Sequence, residues 1–287
     1  MSISRSFAAY GSLVRLSHTV FALPFALAAV VLASHYEPIT ARKVVLIVLC
    51  IAAARTAAMA FNRLVDRDID AKNPRTVDRE LPRGVLRVAS VRLLVLGSCA
   101  VFLVGAAMLG RLPLLLSPIA LGLALGYSYT KRFTAWCHVV LGLAVAFAPG
   151  GAWIAMGAPV TAVPWLLVLG VASWVAGFDV LYSLQDHGFD AQNTLHSIPV
   201  RLGIRGALWV SALLHVVTAG CLLAVGLMLG RGPAYLLGVA VVAGLLAYEH
   251  AIVKPNDFSR INKAFFDLNG YVSIAFLLCV LTDHLLS

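Results

Sequence analysis

The stretch Asn62-Arg-Leu-Val-Asp66-Arg-Asp-Ile-Asp70 closes an apolar run that extends from Val44 to Phe61. Asn62, Asp66 and Asp70 fall at i, i+4 and i+8, so a helix lines their oxygens along one face. A ladder of amide and carboxylate oxygens suits a hard cation. Coming at the end of a membrane-length run, it is expected at an interface between lipid and water.

The surroundings agree. Hydrophobic residues make up 61% of the 287 residues and charged residues 12%, with a mean hydropathy of +0.91. Near-charge-free runs recur over Phe7–Ala33, Val44–Val65, Val91–Leu109, Leu114–Tyr129, Ala135–Met156, Pro164–Leu184, Gly206–Leu229, Ala234–Val253 and Ala264–Leu285. Each approaches the length of a bilayer-crossing helix. The expected fold is all-α: a single polytopic membrane domain over residues 1–287, with about nine transmembrane helices. Arg15 and His18 interrupt the first run, whose opening turns suit an amphipathic surface segment. No small-residue cleavage site follows the N-terminus, so no removable signal is expected. Cys50, Cys99, Cys137, Cys221 and Cys279 sit in apolar runs without paired spacing and read as core residues.

Nine spans place the connections after the second, fourth, sixth and eighth on the N-terminal side. Most of the 22 Lys and Arg lie there; Arg42, Lys43, Arg111 and Arg231 lie opposite, and Arg55 is within a span. The positive-inside rule then puts the N-terminus and the polar loops in the cytoplasm, in an inner-membrane, multi-pass protein. The +9 net charge is therefore mainly topology within the lipid bilayer, with anionic lipid or anionic substrate as a secondary reading. Basic residues tied to short loops between spans do not form a nucleic-acid surface.

Eight of the 13 acidic residues lie in or beside the connections after the second and sixth spans. The latter reads Asp179-Val-Leu-Tyr182-Ser-Leu-Gln-Asp186-His-Gly-Phe-Asp190, and Asp186 and Asp190 each follow Asp66 and Asp70 by 120 positions. Equal offsets, four spans apart, suggest an internal repeat of spans two to five in spans six to nine. Opposed carboxylates repel unless a cation intervenes. Oxygen ligands without His or Cys favour magnesium, which retains positions for water and phosphates. A lone Asp-x-x-x-Asp usually just solvates a loop or pairs with adjacent arginines; two at the ends of membrane spans favour the metal. Arg67, Arg75 and Arg79 after the first ladder, Lys131 and Arg132 after the fourth span, and Arg201 after the second ladder suit an oxygen-rich anion such as a diphosphate. Tyr127 and Lys131, four apart, are expected on one helix face. Arg55 shares a face with Met59, Asn62 and Asp66, about 10 Å deeper than Asn62. A charge within a span marks a functional site by default; its bland role is a structural pair with Asp179.

These residues resemble the UbiA-type intramembrane aromatic prenyltransferases over essentially the whole chain. Asn62-x-x-x-Asp66-x-x-x-Asp70 with Asn73-Pro-Arg75-Thr, Arg79 and Leu81-Pro-x-Gly84 looks like the first motif of that family. Tyr127-x-x-x-Lys131-Arg-Phe-Thr134 looks like the central motif, and Asp179-x-x-Tyr182, Asp186 and Asp190 like the second acidic motif. The resemblance implies nine helices around a central cavity under a cytoplasmic polar cap. It implies magnesium held by Asn62, Asp66, Asp70, Asp186 and Asp190 on a polyprenyl diphosphate, whose phosphates meet Arg75, Lys131, Arg67 and Tyr127. Arg55, with Asn62, would face an aromatic carboxylate acceptor, and Tyr182 or Asp179 would order that acceptor or take its proton. Phe61, Phe178 and Tyr182 offer ring faces to an allylic cation. Ser183-Leu-Gln-Asp186, Leu195-His-Ser-Ile-Pro199 and Asn262 to Gly270 resemble a subgroup acting on 4-hydroxybenzoate or 1,4-dihydroxy-6-naphthoate, both in quinone biosynthesis. The competing class is a secondary transporter using repeated acids, which predicts acids near the bilayer midplane rather than at span ends. The histidines within spans read as hydrogen-bonded core residues, and His196 stands in a loop beside the second ladder.

Overall fold

The computed structural model describes residues 9–14 and 19–287. Arg5, Arg15, His18 and the opening of the first expected span lie outside the described residues. The helices are α1 Thr19–Ala33, α2 Ala41–Val65, α3 Val88–Leu109, α4 Arg111–Thr130, α5 Cys137–Met156, α6 Ala162–Ser183, α7 Ile198–Met228, α8 Pro233–Ile252 and α9 Asn269–Leu286. Short helices Arg67–Asp70 and His187–Gln192 follow α2 and α6. Among the described residues, eight helical stretches are long and apolar enough to cross a membrane, and Phe21–Ala33 is a shorter apolar helix where the first span was expected. The protein is all-α and multi-pass, and among the described residues these eight spans with Phe21–Ala33 approximately match the nine expected.

Boundaries differ where polar residues cap or extend an apolar core. The helix α2 begins at Ala41, so Arg42 and Lys43 join its first turn, and Lys43 Nζ donates to the Met156 carbonyl at 2.6 Å. The helix α7 begins at Ile198, where the Ser197 hydroxyl accepts from the Val200 amide and Pro199 occupies the first turn. Gly203, at φ 70°, then breaks its helical course, so the apolar run expected from Gly206 starts just after a glycine-dependent bend. A π-helical segment, Ala264–Leu268, opens the last span, which shifts register by one residue.

The chain divides into two compact units, Met1–Thr19 with Val45–Tyr129 and Val20–Val44 with Thr130–Ser287. In the first, Ala60 of α2 packs with Ala9, Leu13, Val14, Val91 and Val95, and Leu81 and Leu86 of the loop after the short helix are buried in the same cluster. That burial pins the polar loop to the span end. In the second unit, Val180, Leu181 and Leu184 pack with Ile198, Ala207, Ile252, Ile261 and Leu268, so the second acidic stretch also stands on a packed core. The α5–α6 approach is close: a Cβ at Gly142 would collide with the Ala172 carbonyl. Gly142→Val is expected to cost about 1–3 kcal/mol by overpacking, read as a lower melting temperature in detergent; an unchanged melt would contradict that packing. Outward faces carry large apolar side chains, among them Leu93, Leu115 and Trp209, all more than two-thirds exposed, as lipid contact requires. All five cysteines are free.

Candidate active site

At the end of α2, Asp66 stands in the bridge region, at φ −89° and ψ 3°, as the N-cap of the short helix Arg67–Asp70. Hydrogen bonds still step four residues at a time across that break: Asp66 N to Asn62 O at 2.9 Å and Asp70 N to Asp66 O at 2.7 Å. Asn62, Asp66 and Asp70 therefore keep helical spacing, although they belong to two helices rather than one. Asn62 Nδ2 donates to Asp66 Oδ2 at 3.1 Å. Asp66 and Asp70 are buried, and Asn73 and Thr76 with them.

Arg79 holds Asp70. Its Nη1 donates to both carboxylate oxygens at 2.7 Å, while the Thr76 hydroxyl donates to the Asp70 carbonyl at 3.1 Å. Asn73 Oδ1 accepts from the Arg75 amide at 2.9 Å, an Asx turn that fixes the exposed Arg75. The Arg67 side chain is exposed as well and pairs with Asp68 at 3.0 Å. Arg55 is partly buried on α2, with Tyr127 of α4 as an electrostatic neighbour. Phe61 packs edge-on against Tyr129, centroids 5.9 Å apart.

The second acidic stretch repeats the same backbone device. Asp186, at φ −97° and ψ 1°, caps the short helix His187–Gln192 after α6, and Asp190 lies within that helix. Asp66 and Asp186, 120 positions apart, thus share bridge-region dihedrals at the head of a short helix that carries the next aspartate, with a 3-10 turn, Leu184–Asp186, intervening after α6. Asp190 takes a hydrogen bond from Ser197, and Asp186, Lys131 and His138 act on it electrostatically. Lys131 lies just past the end of α4 at Thr130, four residues after Tyr127. The Lys131 carbonyl accepts from the His196 amide at 2.7 Å, joining the central motif to Leu195–Pro199. Asp179 meets His138 Nδ1 at 2.7 Å.

An aromatic wall flanks Asp179. Tyr182 stacks on Phe265 with centroids 4.0 Å apart, Phe178 meets Phe265 edge-on at 5.2 Å, and Trp174 meets Phe178 at 5.2 Å. Asn269, just after the π segment, accepts from Trp174 Nε1 at 2.6 Å and donates to Glu249 and to the Ala264 carbonyl. The pairing of acids with adjacent arginines, weighed from the sequence, occurs at Asp70 and Arg79; His138 as the partner of Asp179 and this Trp174–Asn269–Glu249 set were missed. The only available signal was chemical: polar side chains inside apolar runs need partners. His215 and His250, 3.0 Å apart, are the hydrogen-bonded core residues expected.

The UbiA prenyltransferase family model matches residues 22–277. The chain belongs to the UbiA prenyltransferase family. Similar curated relatives include the 4-hydroxybenzoate octaprenyltransferases of Aromatoleum aromaticum, 32% identical over 79% of this chain and 77% of that one, and of Vibrio cholerae, 32% identical over 82% of each. Among solved structures, an apo UbiA homolog from Aeropyrum pernix is 32% identical with a TM-score of 0.85, covering 93% of this chain and 98% of that one. A UbiA homolog from Archaeoglobus fulgidus bound to GPP and Mg2+ shares the fold, at 20% identity and a TM-score of 0.75 over 96% and 99% of the two chains. This prenyltransferase is therefore an enzyme of the membrane, and the transporter reading is set aside.

Proposed function

We propose that this prenyltransferase moves a polyprenyl group from an isoprenoid diphosphate to the ring of a hydroxylated aromatic acid, with 4-hydroxybenzoate as the acceptor, in quinone biosynthesis. The paired breaks at Asp66 and Asp186 carry the reading, because each presents a buried or half-buried carboxylate at a span end, followed one helical turn later by another. The names of the curated relatives support the acceptor.

The donor set fits magnesium. Among the described residues no three His, Cys, Asp or Glu groups converge as a closed cage, and magnesium needs none, binding through one or two carboxylates with phosphates and water completing its shell. Asp66 and Asp70 with Asn62, and Asp186 with Asp190, would hold it; when bound, it neutralises charge on the departing diphosphate. Arg75 and Lys131 add positive charge for the phosphates, with Tyr127 near Arg55 and with Arg67 at the rim. Arg79 keeps Asp70 in register. Arg55 receives the carboxylate of the acceptor, and Asp179 with Tyr182 orders its ring. The rings of Phe178 and Tyr182 offer their faces to the allylic cation, and apolar helices keep water from it. The excess of basic residues in these loops supports a cytoplasmic site at the inner membrane under a polar cap.

Purified enzyme in nanodiscs, given labelled prenyl diphosphate and magnesium, is expected to prenylate 4-hydroxybenzoate and to stop when EDTA removes the metal. Transfer to 1,4-dihydroxy-6-naphthoate alone would overturn the acceptor assignment.

A further inference from the structure

The His138–Asp179 pair lies outside the metal and phosphate roles assigned above. His138, in the first turn of α5, is almost wholly buried, with 4% of its side chain exposed against 24% for Asp179. Its Nδ1 is 2.7 Å from Asp179 Oδ2, and its Nε2 lies 3.3 Å from the backbone nitrogen of Ile198. A backbone N–H only donates, so Nε2 accepts and the ring proton is on Nδ1, directed at the carboxylate. One imidazole therefore ties α6 to the start of α7, one residue after Ser197, which hydrogen-bonds Asp190.

We propose that His138 is a positioning residue: its Nδ1–H holds the Asp179 carboxylate as the group that takes the proton released when the aromatic ring is alkylated. The proposal rests on the aromatic prenyl transfer inferred above. In that step the allylic C–O bond breaks and its electron pair leaves on the diphosphate. Ring π electrons form the new C–C bond, and the C–H proton at that ring carbon passes to Asp179 while its electron pair restores the ring. The exposures assign the roles, since the carboxylate is open on one side and the imidazole is not. The imidazole is not itself the base, because both ring nitrogens are engaged and taking a proton on Nε2 would expel the Ile198 amide. Phe178 and Tyr182, one and three residues from Asp179, place it beside the ring faces that flank the reacting carbon.

A glutamine amide reproduces both contacts, donating to Asp179 and accepting from Ile198; a leucine reproduces neither. His138→Gln is expected to retain kcat within about threefold, whereas His138→Leu loses about 10–100-fold, the range seen when a partner that orients a functional group is removed. The prenyl diphosphate KM stays unchanged in both. In an Asp179→Asn background, His138→Leu should cost nothing further, because it acts through the missing carboxylate. Equal loss in the Gln and Leu variants, wild-type kinetics in the Leu variant, or additive losses in the double variant would each overturn the proposal. Nitrogen NMR of histidine-labelled enzyme tests the geometry independently of any substrate: a proton on Nδ1 of His138 is expected, and one on Nε2 contradicts the proposal even if the acceptor assignment stands. Failure of the wild-type enzyme to prenylate 4-hydroxybenzoate, with Nδ1 protonated, would instead fault the functional reading.

Discussion

Asp66→Ala and Asp186→Ala are each expected to abolish magnesium-dependent prenyl transfer, with kcat falling by about 1,000-fold or more, while insertion and folding persist. The size follows from the chemistry, because stabilising a departing diphosphate in a dry site supplies several kcal/mol, and each 1.36 kcal/mol is a factor of about ten. The equivalence follows from the backbone, because the two aspartates occupy the same bridge-region break at the head of a short helix. Folding persists because the apolar clusters beneath each break involve neither carboxylate. Single-turnover rates in nanodiscs, alongside melting curves, separate chemistry from stability. A variant that melts as wild type and retains full turnover would remove its aspartate from the reaction.

Arg79→Ala carries the largest expected effect on stability. The guanidinium bonds both oxygens of a carboxylate only 5% exposed, and is itself 19% exposed. Deleting it leaves a buried charge without its ion-pair partner, a change that costs about 3–5 kcal/mol. In buffer free of divalent cations the variant should melt well below wild type. Adding Asp70→Asn should recover part of the loss, because the orphaned charge is gone. If Arg79→Ala and Asp70→Asn each lower stability and their effects simply add, the pair does not act as a unit.

Much of this was legible in the chain itself. Each apolar run after the first became a helix, because in lipid only a helix or a closed barrel satisfies the backbone internally. The run ends were less legible: Arg42, Lys43 and Ile198 lie in helical turns that an apolar window excludes, and the bend at Gly203 and the π segment at Ala264 alter register without altering composition. The spacing of Asn62, Asp66 and Asp70 survived the helix break because the four-residue hydrogen bonds run through it. Partners distant in sequence left no local trace. His138 and Asp179 are 41 residues apart, and Trp174 and Asn269 are 95 apart, so only the fold reveals why those polar groups stand inside apolar spans.

In the proposed reaction both aspartate breaks bind the diphosphate through magnesium. Direct binding of a labelled prenyl diphosphate to the enzyme in nanodiscs, with and without magnesium, tests it most directly. At least about tenfold tighter binding with magnesium is expected in the wild type, the gain from a metal bridging carboxylate and phosphate, and no such gain in either Asp66→Ala or Asp186→Ala. A magnesium-enhanced affinity that survives in either variant would contradict it.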